Sequence, residues 1–280
     1  MRRNRLGKSH ASICFVLILA AAGLAAPLHA MDINGFLPAR GHGDLAVSYT
    51  AEGYDEFWVG ETKVSDPGVG EVDIKSFSVW VQWGLLDNLA IVANLPYVDA
   101  SSDGLGGFED SGLQDLSVLF KYRFLSSGPH NLVGGLGVRT AAQDYEPNLP
   151  VDLGDNTTDV LFRLVYQFQT QSFYISQQVG YDLRSDDAPD GYPLYTELGF
   201  TAGRVTFGGF YSQLTADGGT DIGDPGFTFP SNKEEYSKWG LKLYARVTDR
   251  FGLSAAYFAT LDGRNTGDSD GFSVGAVFHF

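Results

Sequence analysis

The sequence predicts an all-β protein, an antiparallel up-and-down transmembrane β-barrel of about twelve strands. Three observations carry that expectation. Hydrophobicity alternates with period two through twelve separate segments, the pattern of strands with two unlike faces. The connections between those segments alternate short and long, as they do when tight turns face one side of a membrane and loops face the other. The chain also begins with the marks of export and closes its last alternating segment on an aromatic residue, in Phe278-His279-Phe280.

Residues 1–30 fall into three zones: the basic Arg2, Arg3, Arg5 and Lys8, the apolar run from Ile13 to Ala22, and the small-residue exit Ala25-Ala26-Pro27-Leu28-His29-Ala30. They read as a secretory signal peptide cleaved after Ala30, because cleavage after Ala26 would leave Pro27 next to the scissile bond. The apolar run is too short for an anchor, and no later stretch reaches the roughly 18 apolar residues of a membrane helix. The expected division is therefore a leader, 1–30, and one barrel domain, 31–280. The only cysteine, Cys14, lies in the leader. A disulfide scaffold, thiol catalysis and cysteine-based zinc sites are thereby excluded from the rest of the chain.

The first barrel segment alternates Leu45, Val47, Tyr49 and Ala51 with Ala46, Ser48, Thr50 and Glu52. Next, Phe77, Val79, Val81 and Trp83 alternate with Ser76, Ser78, Trp80 and Gln82, and Leu89, Ile91, Ala93, Leu95 and Tyr97 follow almost at once. Leu116, Val118, Phe120, Tyr122 and Phe124 then interleave with Asp115, Ser117, Leu119, Lys121 and Arg123. The same period runs through residues 132–140, 158–169, 173–183, 192–202, 205–214, 236–247, 251–259 and 272–280. Most segments are about 9 to 13 residues, enough to cross a bilayer at a steep tilt. Short connections are expected at 84–88, 125–131, 169–172, 203–204 and 248–250, and long ones at 55–71, 98–112, 141–156, 184–191, 215–235 and 260–270. A soluble sandwich would also alternate, but nothing in it would call for loops long at one end and short at the other. A sheet that shows apolar residues to lipid must close on itself, because hydrocarbon offers no partner to an unpaired edge.

Charge is distributed along the same division. The 280 residues hold 19 basic and 34 acidic groups, for a formal net charge of −15, and after residue 30 the count is 15 against 34. The six long connections carry 24 of the acidic residues and four basic ones. That balance argues against a nucleic-acid partner, which needs a basic face. It suits an outer surface that meets outer-membrane lipid and lipopolysaccharide, with divalent cations bridging acidic groups. The terminal aromatic resembles the signal that bacterial outer-membrane proteins present to the barrel-assembly machinery. The expected location is the outer membrane of a Gram-negative bacterium.

Several passages resemble a bacterial outer-membrane family named for the meta-cleavage pathway of phenol degradation, often described as transporters. They are Gly84-Leu85-Leu86-Asp87-Asn88-Leu89 running into Asn94-Leu95-Pro96-Tyr97, then Ser111-Gly112-Leu113-Gln114-Asp115-Leu116 with Lys121-Tyr122-Arg123-Phe124, and the glycine-rich Gly134-Gly135-Leu136-Gly137-Val138. The chain departs from the family pattern at Thr140-Ala141-Ala142-Gln143, where a Pro-Thr-Gly-type exit is expected. The resemblance implies a barrel that takes up small hydrophobic or aromatic compounds.

Strand parity turns Lys121, Arg123, Arg139, Arg163, Lys238, Lys242 and Arg246 inward, together with Glu52, Asp115, Asp159, Asp182 and Glu197. Gln82, Gln167, Gln178 and Tyr195 share that face. Two roles fit: a selectivity lining with opposed charges across a pore, or an ion-pair network that fills the lumen. About twelve strands fall between filled and open barrels, so size does not choose. The expected function is a channel or transporter for small solutes. The alternatives are a plugged barrel with a structural or surface-interaction role and an outer-membrane lipid hydrolase. A histidine-dependent hydrolase needs its base near the outer leaflet, whereas His42, His130 and His279 all map to the short-turn side. A carboxylate-only hydrolase is not removed by that argument. No cofactor motif is present and no metal site is expected. Asp217, Asp221 and Asp224 are weak calcium candidates, because turns use Asp for conformational reasons.

Overall fold

A computed structural model describes residues 31–280 except 66–67, 69, 105–106, 146–152 and 229. The expected leader, 1–30, lies outside the described residues. Fifteen strands follow in order: β1 (Gly43–Tyr54), β2 (Glu56–Val59), β3 (Thr62–Ser65), β4 (Val72–Leu86), β5 (Leu89–Ser102), β6 (Phe108–Leu113), β7 (Asp115–Ser127), β8 (His130–Ala141), β9 (Thr158–Gln169), β10 (Phe173–Leu183), β11 (Asp190–Ala202), β12 (Val205–Asp217), β13 (Glu235–Arg246), β14 (Phe251–Arg264) and β15 (Asp270–His279). Twelve of them pair antiparallel, each with the next, and close into a barrel where β1 meets both β15 and β4. At that seam Gly43 and Phe280 exchange both backbone hydrogen bonds, at 2.9 and 3.0 Å. The chain's last residue is thus built into the closure.

The twelve barrel strands occupy the segments that alternate in the sequence, with one systematic difference. Toward the long-loop end they run further than the alternation suggested. Residues 98–102, expected to be loop, continue β5, which pairs with β4 as far as Val72↔Ser102 and with β6 alongside. β14 reaches Arg264 in the same way. These extensions lie where apolar alternation has given way to Asp and Ser, so hydrogen bonding rather than lipid contact defines them. The hairpin of β2 and β3 forms within the first long loop.

The two faces separate cleanly. Phe207 and Leu241 are 57% and 56% exposed on the outside, while Asp159 and Lys121 are 0% and 1% exposed on the inside. Only a lipid environment makes that inversion favourable, because apolar area left in water costs about 25 cal/mol per Å². Outward aromatics gather near the short turns (Trp83, Phe124, Phe173, Phe200, Phe251) and again toward the long loops (Tyr97, Tyr192, Trp239, Tyr257). Aliphatics such as Val47, Val79, Val179 and Leu253 lie between. That is the banding of an outer-membrane barrel with two interfacial girdles.

Candidate functional site: the barrel lumen

Inward residues of β8, β9 and β10 form a belt of charge-assisted hydrogen bonds. The Arg139 guanidinium donates to Asp159 (Nε to Oδ2, 2.8 Å), with Asp115 at 3.9 Å. Arg163 grips both oxygens of Asp182, one of them at 3.2 Å. Arg184, just beyond β10, pairs with Asp155 and lies 3.6 Å from Asp159. Register explains the first pair, since Arg139 stands opposite Asp159 across β8 and β9. Planar guanidinium forks suit such pairs, because each carboxylate lone pair can be satisfied in place.

A second cluster centres on Lys242 of β13. Its ammonium pairs with Glu197 at 3.2 Å and with the Tyr195 hydroxyl, and it lies 5.1 and 5.0 Å from the ring centroids of Tyr195 and Phe210. Tyr195 also donates to Glu197, at 3.0 Å, and Tyr174 donates to its other oxygen. Lys238 pairs with Glu52 of β1 at 3.2 Å, a contact that spans two intervening strands. Arg123 and Arg246 stand apart from these networks, at the short-turn rim. Arg123 donates to the carbonyl of Asp87 at 2.7 Å, and Arg246 is exposed.

The structure also places in the lumen a segment that the sequence reading passed over. Residues 31–42 turn back from the short-turn rim and run up the inside of the wall. Ile33 N–H donates to Gln178 Oε1, and Gly35 N–H to Gln167 Oε1, both at 2.8 Å. Asp32 accepts from Gln178 at 2.9 Å and from Ser212 at 3.2 Å. The carbonyl of Phe36 accepts from Lys121 Nζ at 2.8 Å, and that ammonium also donates to Gln82 at 2.9 Å. Lys121 is therefore buried against amide dipoles of the segment and of β4. Met31 and Ile33 pack on Val92, Leu119, Val133, Leu161 and Val165, flanked by Leu37 and Trp80. Those five inward aliphatics were the available signal. A water-filled lumen does not favour an apolar patch on four consecutive strands, so something had to cover it.

Long loops close over the opposite end. Tyr54, Phe57, Val72, Ile74, Val98, Ala100, Tyr145, Leu153 and Ile222 form a buried apolar roof drawn from strand ends and from the first, third and fifth loops. Beside it a small cleft is lined by Arg139, Asp182, Arg184, Asp190, Asn232 and Glu234, with Pro189, Leu214 and Ala216. The weak calcium candidates do not converge. Asp221 is taken up by the guanidinium of Arg264 (2.7 and 2.6 Å) and by Asn265, and Asp217 accepts from Tyr192. Among the described residues no three His, Cys, Asp or Glu side chains gather as a metal site would need. At the closing seam His42 lies against the Phe280 carbonyl and His279 is bonded to Asp44 and Tyr244, and His130 is the first residue of β8, bonded to Tyr166.

A family model described as "Putative MetA-pathway of phenol degradation" matches residues 59–275. An outer-membrane channel from Pseudomonas putida F1 superimposes with a TM-score of 0.73 over 90% of this chain and 100% of that one, at 16% identity. The NanC porin gives 0.53 over 84% and 98%, at 9% identity. The translocator domain of the autotransporter NalP from Neisseria meningitidis gives 0.52 over 97% and 96%, at 12% identity. At such identities the likeness is one of fold. No curated protein sequence matches the chain. The banding, the closed sheet and these neighbours place the protein in the outer membrane.

Proposed function

We propose that this chain, which belongs to the MetA-pathway phenol-degradation family, is a passive outer-membrane channel for small compounds of hydrophobic or aromatic character. The observation that carries the reading is Lys242, whose side chain is 39% exposed within the lumen and held between the rings of Tyr195 and Phe210. A ring-bearing solute meets aromatic faces and a cation there without having to break a sealed core. The cleft beside Arg184 and Glu234 is the point of entry this reading assigns at the long-loop end. The periplasmic positions of the three histidines favour a channel over a histidine-dependent hydrolase.

The N-terminal segment and the apolar roof favour a second reading, a plugged barrel with a structural or surface-interaction role. Planar-bilayer recording and liposome uptake of phenol and benzoate by the purified protein separate the two. Stepwise conductance with solute entry supports the channel. Absence of both leaves the plugged barrel.

A further inference from the structure

We propose that the passage is one-sided: solute moves along a wall of small side chains on β14, β15, β1 and β4, with the N-terminal segment and the charged belt filling the other side. The inference rests on the channel reading above. Residues 31–37 make their contacts with β5, β7, β8, β9, β10 and β12, and with Trp80 in the middle of β4. Among the described residues none of their hydrogen bonds reaches β13, β14, β15 or β1, and the buried apolar cluster around Met31 and Ile33 includes no residue of those strands.

The bare side has a regular lining. Register places Ser76, Thr50, Ser273 and Ala256 side by side across the four strands, ending at Lys242 of β13. The next row toward the short turns reads Ser78, Ser48, Gly275 and Ser254, ending at Tyr244. The opposite side, on β7, β9 and β10, carries Lys121, Arg163, Gln167 and Gln178, all buried. The small residues are instead partly exposed, although their strand neighbours Val47, Val79, Val274 and Leu253 face lipid. That exposure is therefore exposure to the lumen.

Side chains of at most three heavy atoms in place of five to seven leave the open half of the section. The lining offers hydroxyls that both donate and accept and no fixed charge except Lys242 at its margin. It takes small solutes with neutral or singly anionic hydrogen-bonding groups. The Lys238–Glu52 pair bridges β13 to β1 above these rows, so solute reaches the wall diagonally from the cleft at β10–β12.

The chain's lone cysteine, Cys14, precedes the barrel, so single cysteines report cleanly when residues 31–280 are refolded into bilayers. Ser273→Cys and Ser48→Cys are expected to react with a small charged methanethiosulfonate at least tenfold faster than Leu161→Cys, which lies behind the N-terminal segment. Labelling Ser273→Cys should then cut single-channel conductance by half or more, while labelling lipid-facing Val274→Cys should leave it unchanged. Equal labelling rates, or unchanged conductance after labelling Ser273→Cys in a barrel that conducts, would overturn the one-sided passage and leave the channel reading standing. A wild-type barrel that passes neither ions nor solute would remove both.

Discussion

Asn265 holds the outer loops together through a conformation that few residues tolerate. It is fully buried at φ 52°, in the left-handed region where Asn is among the few non-glycine residues found often. Its Oδ1 accepts from Gly60 N–H at 2.9 Å and Ile222 N–H at 3.1 Å, while Nδ2 donates to Asp221 at 2.9 Å and to the Lys233 carbonyl at 2.6 Å. Three loops thus meet at one amide. Asn265→Ala leaves donors orphaned at about 1–3 kcal/mol each. The expected outcome is rapid proteolysis of the loops with unchanged heat-modifiable migration of the barrel.

Two neighbouring carboxylates make the same roof pH-sensitive in opposite directions. Hydrogen bonding from Arg264 holds Asp221 below its ordinary value of 3.8, so its contribution is present above that value and lost as pH falls through the lowered one. Burial pushes Glu234 well above its ordinary 4.5, with Asp155 adding to the rise. Its ionisation therefore costs stability at high pH, and the cost disappears as pH falls toward 4.5. Loop protection from protease should rise as pH falls from neutral toward 4.5 and collapse in stronger acid. Glu234→Gln should flatten the first limb and Asp221→Asn the second. A monotonic profile in the wild type would contradict the assignment.

At the scale of an element, residues 31–37 show what sequence pattern does and does not reveal. The barrel strands were legible because lipid on one side and polar groups on the other impose period two at every position. The N-terminal segment has no such period. It is irregular backbone whose hydrogen bonds are met by Gln178, Gln167 and Lys121, residues read from parity only as lumen lining. Their partners could not be read because they lie more than 80 positions away in sequence. The roof was illegible for the same reason, being assembled from loops with no shared period. A test of the segment's fit lies at Gly35, where an added Cβ would come within 2.6 Å of Gln167 Cβ, inside any real contact. Gly35→Val is expected to lift the segment from the wall and raise single-channel conductance, and removal of residues 31–37 should raise it further. Conductance unchanged by either would place the narrowest point elsewhere.

For the whole molecule, the two sets of charges act over different distances. Inside, arginines and carboxylates are paired at hydrogen-bonding range, so their fields largely cancel and removal of one partner strands the other. Breaking a buried pair costs about 3–5 kcal/mol, so Asp182→Ala should lower barrel stability through Arg163 by about that much, read from urea-induced loss of tryptophan fluorescence in micelles. The long loops together with the strand ends that carry them (55–71, 98–112, 141–156, 184–191, 215–235 and 260–270) instead hold 24 of the 34 acidic residues and only four basic ones, an unbalanced field around the outer mouth. Such a field enriches cations and repels anions, but only within a Debye length of about 10 Å at 0.1 M salt and about 3 Å at 1 M. The barrel should therefore prefer potassium over chloride in a low-salt gradient and lose most of that preference at 1 M. Preference that survives at 1 M belongs to groups at the narrow section, where Lys242 and Glu197 face the lumen with opposite sign. Lys242→Gln should then shift the high-salt reversal potential toward cations and Glu197→Gln toward anions. Anion preference at low salt would mean that the acidic mouth does not lie on the conducting path.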